Sequence, residues 1–332
     1  MKRESPSLLA ALTVGLLVNV LLRSQSAYWP RAGAATALLC VPLLALTGWL
    51  FSKAWHSGVT PMLRVLFAAL LWYASALELL RYWQLAQRLY PGMVPLTSVC
   101  LMVLLPVLYL RRVSSISQTA HVVLCLLVLA TGFLLLTVLP RLHITNLQVV
   151  SLDFSDLTTA AKEQLILYPE YLLPVLWPKQ ENYPRHPLLR LAFLAIWFDI
   201  GIHGVLELFY GAAMPLRTDP LHAAARCGAL SVFNRLESLQ LILWTMAITV
   251  KLALYLYAIC TLLSNKEKSA ASVKLQSFPL YFAGIWLLCV LLQKTDLQAA
   301  MQLRNAFTWG LVVLAGMGGA AAWLCKKIKS FS

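Results

Sequence analysis

The sequence predicts an all-α, polytopic membrane protein with about ten transmembrane helices and almost no soluble domain. Three observations predict it. Of 332 residues, 60% are hydrophobic and 12% charged, and the mean hydropathy is +0.74. Soluble domains hold about 45–50% apolar and about 25% charged residues. A soluble chain of this length could not cover so much apolar surface with the polar residues it has, whereas a bilayer acts as the solvent for it. Apolar runs of spanning length recur along the whole chain, and Lys and Arg gather at alternate ends of those runs.

A helix needs about 20 apolar residues to cross roughly 30 Å of hydrocarbon. The runs that meet or approach this are 7–22, 33–52, 63–87, 94–110, 120–139, 157–177, 187–211, 231–262, 278–293 and 305–325. The first is short and follows Met1-Lys2-Arg3, as a signal peptide would. It passes into Leu22-Arg23-Ser24-Gln25 without a small-residue cleavage site, so it reads as a retained span. The second, fifth and tenth runs are uninterrupted. The third and eighth carry charges inside them, the sixth is interrupted by Lys162, Glu163 and Glu170, and the ninth is short. The longest outer connections, 140–156 and 212–230, lack the alternation of a folded sheet. Residues 1–332 therefore read as one transmembrane domain.

Orientation follows from the basic residues. With the N-terminus inside, the cytoplasmic ends hold fifteen Lys and Arg, among them Arg111, Arg112, Lys266, Lys268 and Lys274. The opposite ends hold eight, among them Arg23, Arg31, Arg141 and Arg304. The split predicts both termini inside and an even number of spans.

The net charge of +14 raises the question of nucleic acid. The basic residues sit at the ends of apolar runs rather than in one patch, which predicts contact with anionic membrane lipid and no nucleic-acid partner. The seven cysteines are odd in number and form no CxxC pair, so neither a disulfide framework nor a metal site is expected. No P-loop, GxSxG, HExxH or GxGxxG motif occurs, and neither an enzyme nor a cofactor is expected.

Ionisable groups inside spans cost several kcal/mol unless paired or wet, which makes each a candidate for function. Glu78 and Arg81 in the third run are three apart and share a helix face, as an internal pair, a gate or a substrate contact. Asp199, His203 and Glu207 recur at i, i+4 and i+8 of the seventh run. That stripe suits either a structural polar face or an ion or proton path. Lys251 sits mid-run in the eighth, where its ammonium can take the place of a bound Na⁺ or pair with a carboxylate such as Glu170. Tyr168-Pro169-Glu170, with Pro174 and Pro178 beyond, predicts a broken helix, through which transporters expose backbone to a substrate.

Two stretches carry a family resemblance. Phe233-Asn234-Arg235-Leu236-Glu237-Ser238 is followed by Trp244, Lys251 and Leu254-Tyr255-Leu256-Tyr257-Ala258. Pro169-Glu170, with Pro178 downstream, is the second. Both resemble the B subunits of spore germinant receptors, the GerAB-type spore germination permeases. Trp29, and Glu78 and Arg81 ahead of Val94-Pro95, add weaker likeness. That family belongs to the amino acid–polyamine–organocation superfamily. The resemblance implies a LeuT-like fold of two inverted five-helix repeats, with substrate between broken spans one and six. It implies that Glu78, Arg81, Tyr168, Glu170 and Lys251 line a central ligand site, with Arg235 and Glu237 as a gate at the outer mouth of the eighth span. The first run departs from the family pattern, since Gly15 is its only glycine, and so does the 112–118 connection.

The function implied is that of a germinant-receptor B subunit in the inner spore membrane or cell membrane, both termini on the core side. It would sense a small germinant such as an amino acid and signal to A and C subunits. A free-standing proton-coupled amino-acid or cation permease, using the Asp199, His203 and Glu207 stripe, is the competing expectation. An assembly partner without ligand binding, suggested by the altered first run, is the third.

Overall fold

In hydrocarbon no water meets an unpaired backbone N–H or C=O, so a crossing segment must satisfy itself, and a helix does so within one run of chain. The computed structural model follows this rule. It describes residues 8–22, 30–58, 61–92, 94–147, 153–176, 187–211, 213, 220–227, 236–264 and 277–329, and no strand occurs among them. In chain order the helices are α1 (Leu9–Leu22), α2 (Pro30–Gly58), α3 (Pro61–Leu89), α4 (Leu96–Val107), α5 (Val113–Val138) and α6 (Phe154–Gln164). Then come α7 (Pro187–Tyr210), α8 (Pro220–Cys227), α9 (Leu236–Leu263), α10 (Ser277–Leu292) and α11 (Leu297–Lys329).

Six of these, α2, α3, α5, α7, α9 and α11, are long and apolar enough to cross a membrane, while α1, α4 and α10 are apolar but shorter. Large apolar side chains stand exposed around the outside: Leu39 and Leu50 on α2, Leu129 on α5, Trp197 on α7, Leu291 on α10 and Met317 on α11. A soluble monomer does not expose an apolar surface of that extent. The chain is a multi-pass helical membrane protein.

Burial separates an inner set of helices from an outer one. Of the most apolar window of α9, 78% is buried, against 22% for α5 and for α11. α1 is apolar apart from Thr13 and Asn19, and from residue 10 to residue 20 it is buried throughout, as expected of a helix at the centre of a bundle. It packs on α9, α5 and α7, while α3 packs on α9, α11 and α10.

The run at 157–177 is not one helix. α6 opens on a capping box between Asp153 and Asp156, which satisfies orphan N–H groups at its first turn. It is a largely polar helix that lays Leu157 and Ala160 against Ala32 of α2. It ends at Gln164. Residues 165–168 are non-helical, and the chain then makes two 3-10 turns, Pro169–Tyr171 and Leu173–Leu176. Pro169 has no N–H to donate back along a helix, and the residue before a proline is pushed toward extended backbone. Tyr168 adopts that conformation, with φ −85° and ψ 142°. The returning 3-10 turn lies so close to α2 that a Cβ at Gly48 would overlap the Tyr171 carbonyl.

One expectation is corrected and one connection gains an element. The break implied for the first span is absent among the described residues, where Leu9–Leu22 is one continuous helix; its lone Gly15 supplies no glycine-rich unwinding. The 212–230 connection, read only as lacking a folded sheet, contains α8, whose Leu221 and Ala224 pack against Leu206 and Tyr210 of α7.

Candidate functional site: a buried charge cluster

Five segments bring charged and polar groups to one place. α3 contributes Glu78 and Arg81, the 3-10 turn after the break contributes Glu170, and α9 contributes Lys251. α1 adds Asn19 and α11 adds Arg304. Glu78, Glu170 and Lys251 have no solvent exposure, and Arg304 has 1%.

The Lys251 ammonium is the hub. Its Nζ lies 3.0 Å from Glu78 Oε1 and 3.0 Å from Glu170 Oε1, and it donates to Asn19 Oδ1 at 2.6 Å. Three oxygens at these distances satisfy the three N–H bonds of an ammonium. Placing a bare charge in this interior would cost several kcal/mol, and the two carboxylates offset that cost only because they are themselves held. Glu170 Oε1 also accepts from Tyr255 OH at 2.8 Å, one turn beyond Lys251 on α9. Gly15 of α1 leaves room for this carboxylate, since a Cβ there would meet Glu170 Cγ and Oε1 at 3.1 Å.

Glu78 serves three cations with one oxygen. Besides Lys251, Arg81 Nη1 approaches Glu78 Oε1 at 3.5 Å and Arg304 Nη1 at 3.4 Å. Arg304 also stacks over the ring of Tyr168, 5.0 Å from its centroid, at the edge of the helix break. The neighbouring Asn305 accepts the Leu167 N–H with its side-chain oxygen at 2.9 Å, which supplies one of the partners the broken helix lacks. Glu78 Oε2, Glu170 Oε2, Asn19 Nδ2, Arg81 Nη1, and Arg304 Nε and Nη2 are buried without hydrogen-bond partners in the structure.

A second polar group lies along α7. Gln164, the last residue of α6, donates to Asp199 Oδ2 at 2.6 Å and to the Gly33 carbonyl at 3.3 Å. His203 Nδ1 lies 2.8 Å from the Asp199 carbonyl and 3.6 Å from its carboxylate. Glu207 forms an ion pair with Arg31 at the start of α2. A cavity of about 20 Å³, lined by Asp199, Gln164, Tyr168 and Leu16 among others, adjoins this group.

Of the residues singled out from sequence, Glu78, Arg81, Glu170 and Lys251 converge, and Tyr168 stands beside them under Arg304. Asp199, His203 and Glu207 share a stripe but meet α2 and α6 rather than the cluster. Arg235 lies outside the described residues, as does Trp29, and of Glu237 only the helix backbone is described. Sequence reasoning missed Asn19, Tyr255, Gln164 and Arg304 as members of these groups. Arg304 reads as a helix-end residue if the apolar run starts at 305, but α11 begins at Leu297, two turns earlier. Polar residues two turns inside a helix were the available signal.

No family model matches this chain, and no curated protein matches it. Among solved structures, a Na⁺-coupled sialic acid symporter in a substrate-bound, outward-open state is similar with a TM-score of 0.46 and 12% identity. That similarity covers 96% of this chain and 77% of the other. A similarity of that size carries no inference about fold, substrate or ion coupling.

Proposed function

We propose that this protein is a B-type subunit of a spore germinant receptor. It is a permease-like protein of the inner spore membrane, with both termini on the core side, that senses a small germinant of the amino-acid class. It passes a conformational change to A and C subunits rather than performing chemistry. The observation that supports this reading is the meeting of Glu170 and Lys251 at 3.0 Å beside the broken helix. These two residues come from the two stretches that resemble the germination permeases, and the chain folds them onto one point. A buried ion cluster at a helix break changes its pairing when a charged solute enters, and so links occupancy to the shape of the bundle.

Spores lacking their own receptors, supplied with this protein and its A and C partners, test the reading. Germination should be triggered by amino acids, and Lys251→Ala or Glu170→Ala should raise the concentration required. Unchanged sensitivity in both variants overturns the assignment of the site.

One observation favours a second reading, that of a free-standing proton-coupled permease. Asp199, whose carboxylate lies 3.6 Å from His203 Nδ1, lines a cavity of about 20 Å³, enough for one water where roughly 10–15 Å³ suffices. A carboxylate, an imidazole and a water in sequence can pass a proton. Gradient-driven amino-acid uptake by the lone subunit in proteoliposomes, lost in His203→Ala, would favour it over the receptor.

A further inference from the structure

We propose that Arg304, the cluster cation with the most unpartnered buried donors, anchors the carboxylate group of the solute. The inference rests on the reading of the cluster as a solute site and names the chemistry that site recognises.

The first argument is charge. Arg81, Lys251 and Arg304 face Glu78 and Glu170, with Asn19, Tyr168 and Tyr255 as the neutral polar neighbours. Three formal cations meet two formal anions, so one positive charge is left over in an interior where an unpaired charge is costly. A single carboxylate balances it.

The second argument is hydrogen bonding. Lys251 has its three N–H bonds directed at three oxygens, all at 3.0 Å or less. Arg304 is the largest side chain among those under 2% exposed, and its one contact with a carboxylate is a long 3.4 Å approach through Nη1. Its Nε and Nη2 are buried without partners. A guanidinium carries five donors in a planar fork that matches the two oxygens of a carboxylate, and here the fork is open.

The third argument is position. The ring of Tyr168 fixes the Arg304 guanidinium from one face, 5.0 Å from the centroid. Tyr168 is also the last residue of the non-helical stretch, so the anchor sits at the break. α1 is continuous and offers no unwound backbone N–H groups for a carboxylate. Arg304 supplies from α11 the donors that a broken first helix would otherwise supply. The unpartnered Glu78 Oε2 and Glu170 Oε2 are acceptors in the same cluster for an ammonium on the same solute.

The experiment uses the purified full-length protein in nanodiscs, with the shift in melting temperature and equilibrium binding as readouts. The probes are a pool of the standard amino acids, the matching pool of amino-acid amides, and acetate with propionate. The amino-acid pool should stabilise the wild type and the amide pool should not. Arg304→Gln should weaken amino-acid binding by roughly tenfold to a hundredfold, and Arg304→Lys should restore part of it. Stabilisation by acetate and propionate equal to that by amino acids would keep the Arg304 assignment and assign the solute as a simple carboxylate. Equal binding of amides and acids, with Arg304→Gln unchanged, overturns the anchor while leaving the central solute site intact. Binding of none of the probes overturns the anchor, and the spore germination experiment then decides separately whether the receptor reading falls with it. Arg304→Lys, which keeps the charge, separates loss of binding from loss of folding.

Discussion

The cluster around Lys251 and the stripe along α7 are both buried polar groups in an apolar bundle, yet they are built differently. On α7 each acidic side chain has a partner close at hand. Asp199 takes the Gln164 amide, and Glu207 takes Arg31, whose side chain is 30% exposed. The central cluster gathers groups from five separate segments and lets three cations compete for one oxygen of Glu78. The stripe ties neighbouring helices together pair by pair. The cluster has three cations to two carboxylates and carries donors without partners.

The largest expected effect falls on the shared carboxylate. Glu78→Ala removes the common partner of Lys251, Arg81 and Arg304 and should cost about 3–5 kcal/mol, as removal of one member of a buried ion pair does. Thermal unfolding in detergent measures it, and a loss no larger than that of Glu207→Ala would erase the contrast between the two regions. Next comes Lys251→Met, which takes the paired cation from Glu170 and leaves Glu78 to Arg81 and Arg304. Adding Glu170→Gln to it should recover part of the loss, with a coupling of about 0.5–3 kcal/mol in a double-mutant cycle. Strict additivity would show that the two residues do not pair.

A smaller effect is expected at Gly15. A methyl group there meets Glu170 at 3.1 Å, so Gly15→Ala should cost about 1–3 kcal/mol as an overpacked contact does. It should also shift the amino-acid response, and the same substitution at Gly201, where a Cβ meets nothing within 4 Å, is the control. The smallest effect belongs to Glu207→Gln. Its partner is partly solvated, and the pair should be worth about 0–1 kcal/mol.

Much of this arrangement is legible in the chain. The break in the sixth run follows from Pro169 and its neighbours, because a missing donor interrupts a helix wherever it falls. The pairing of Glu78 with Arg81 follows from their three-residue spacing, and that of Lys251 with Glu170 from the cost of leaving either alone in hydrocarbon. Arg304 was not legible. Hydropathy registers only the apolar part of a helix, while α11 begins eight residues before the run at 305, with polar turns that hydropathy ignores. Asn19 was hidden for a different reason. One short amide in an apolar run costs little in hydropathy, and only the fold reveals that Lys251 reaches it. α8 is short and amphipathic, and a helix of that length forms by packing on a neighbour rather than by its own propensity.

Arg304 and Asn305 are consecutive residues of α11, and both grip the broken helix, one through the Tyr168 ring and the other through the Leu167 N–H. The break therefore cannot shift unless α11 follows or gives up these two holds. At 1.5 Å of rise per residue, Lys329 lies about 37 Å along the axis from Arg304. Along that length α11 packs on α2, so closely at Gly319 that an added Cβ would meet Ser57 Oγ at 2.8 Å and Ala54 Cα at 3.1 Å. A movement of the break that α11 follows is therefore passed to α2.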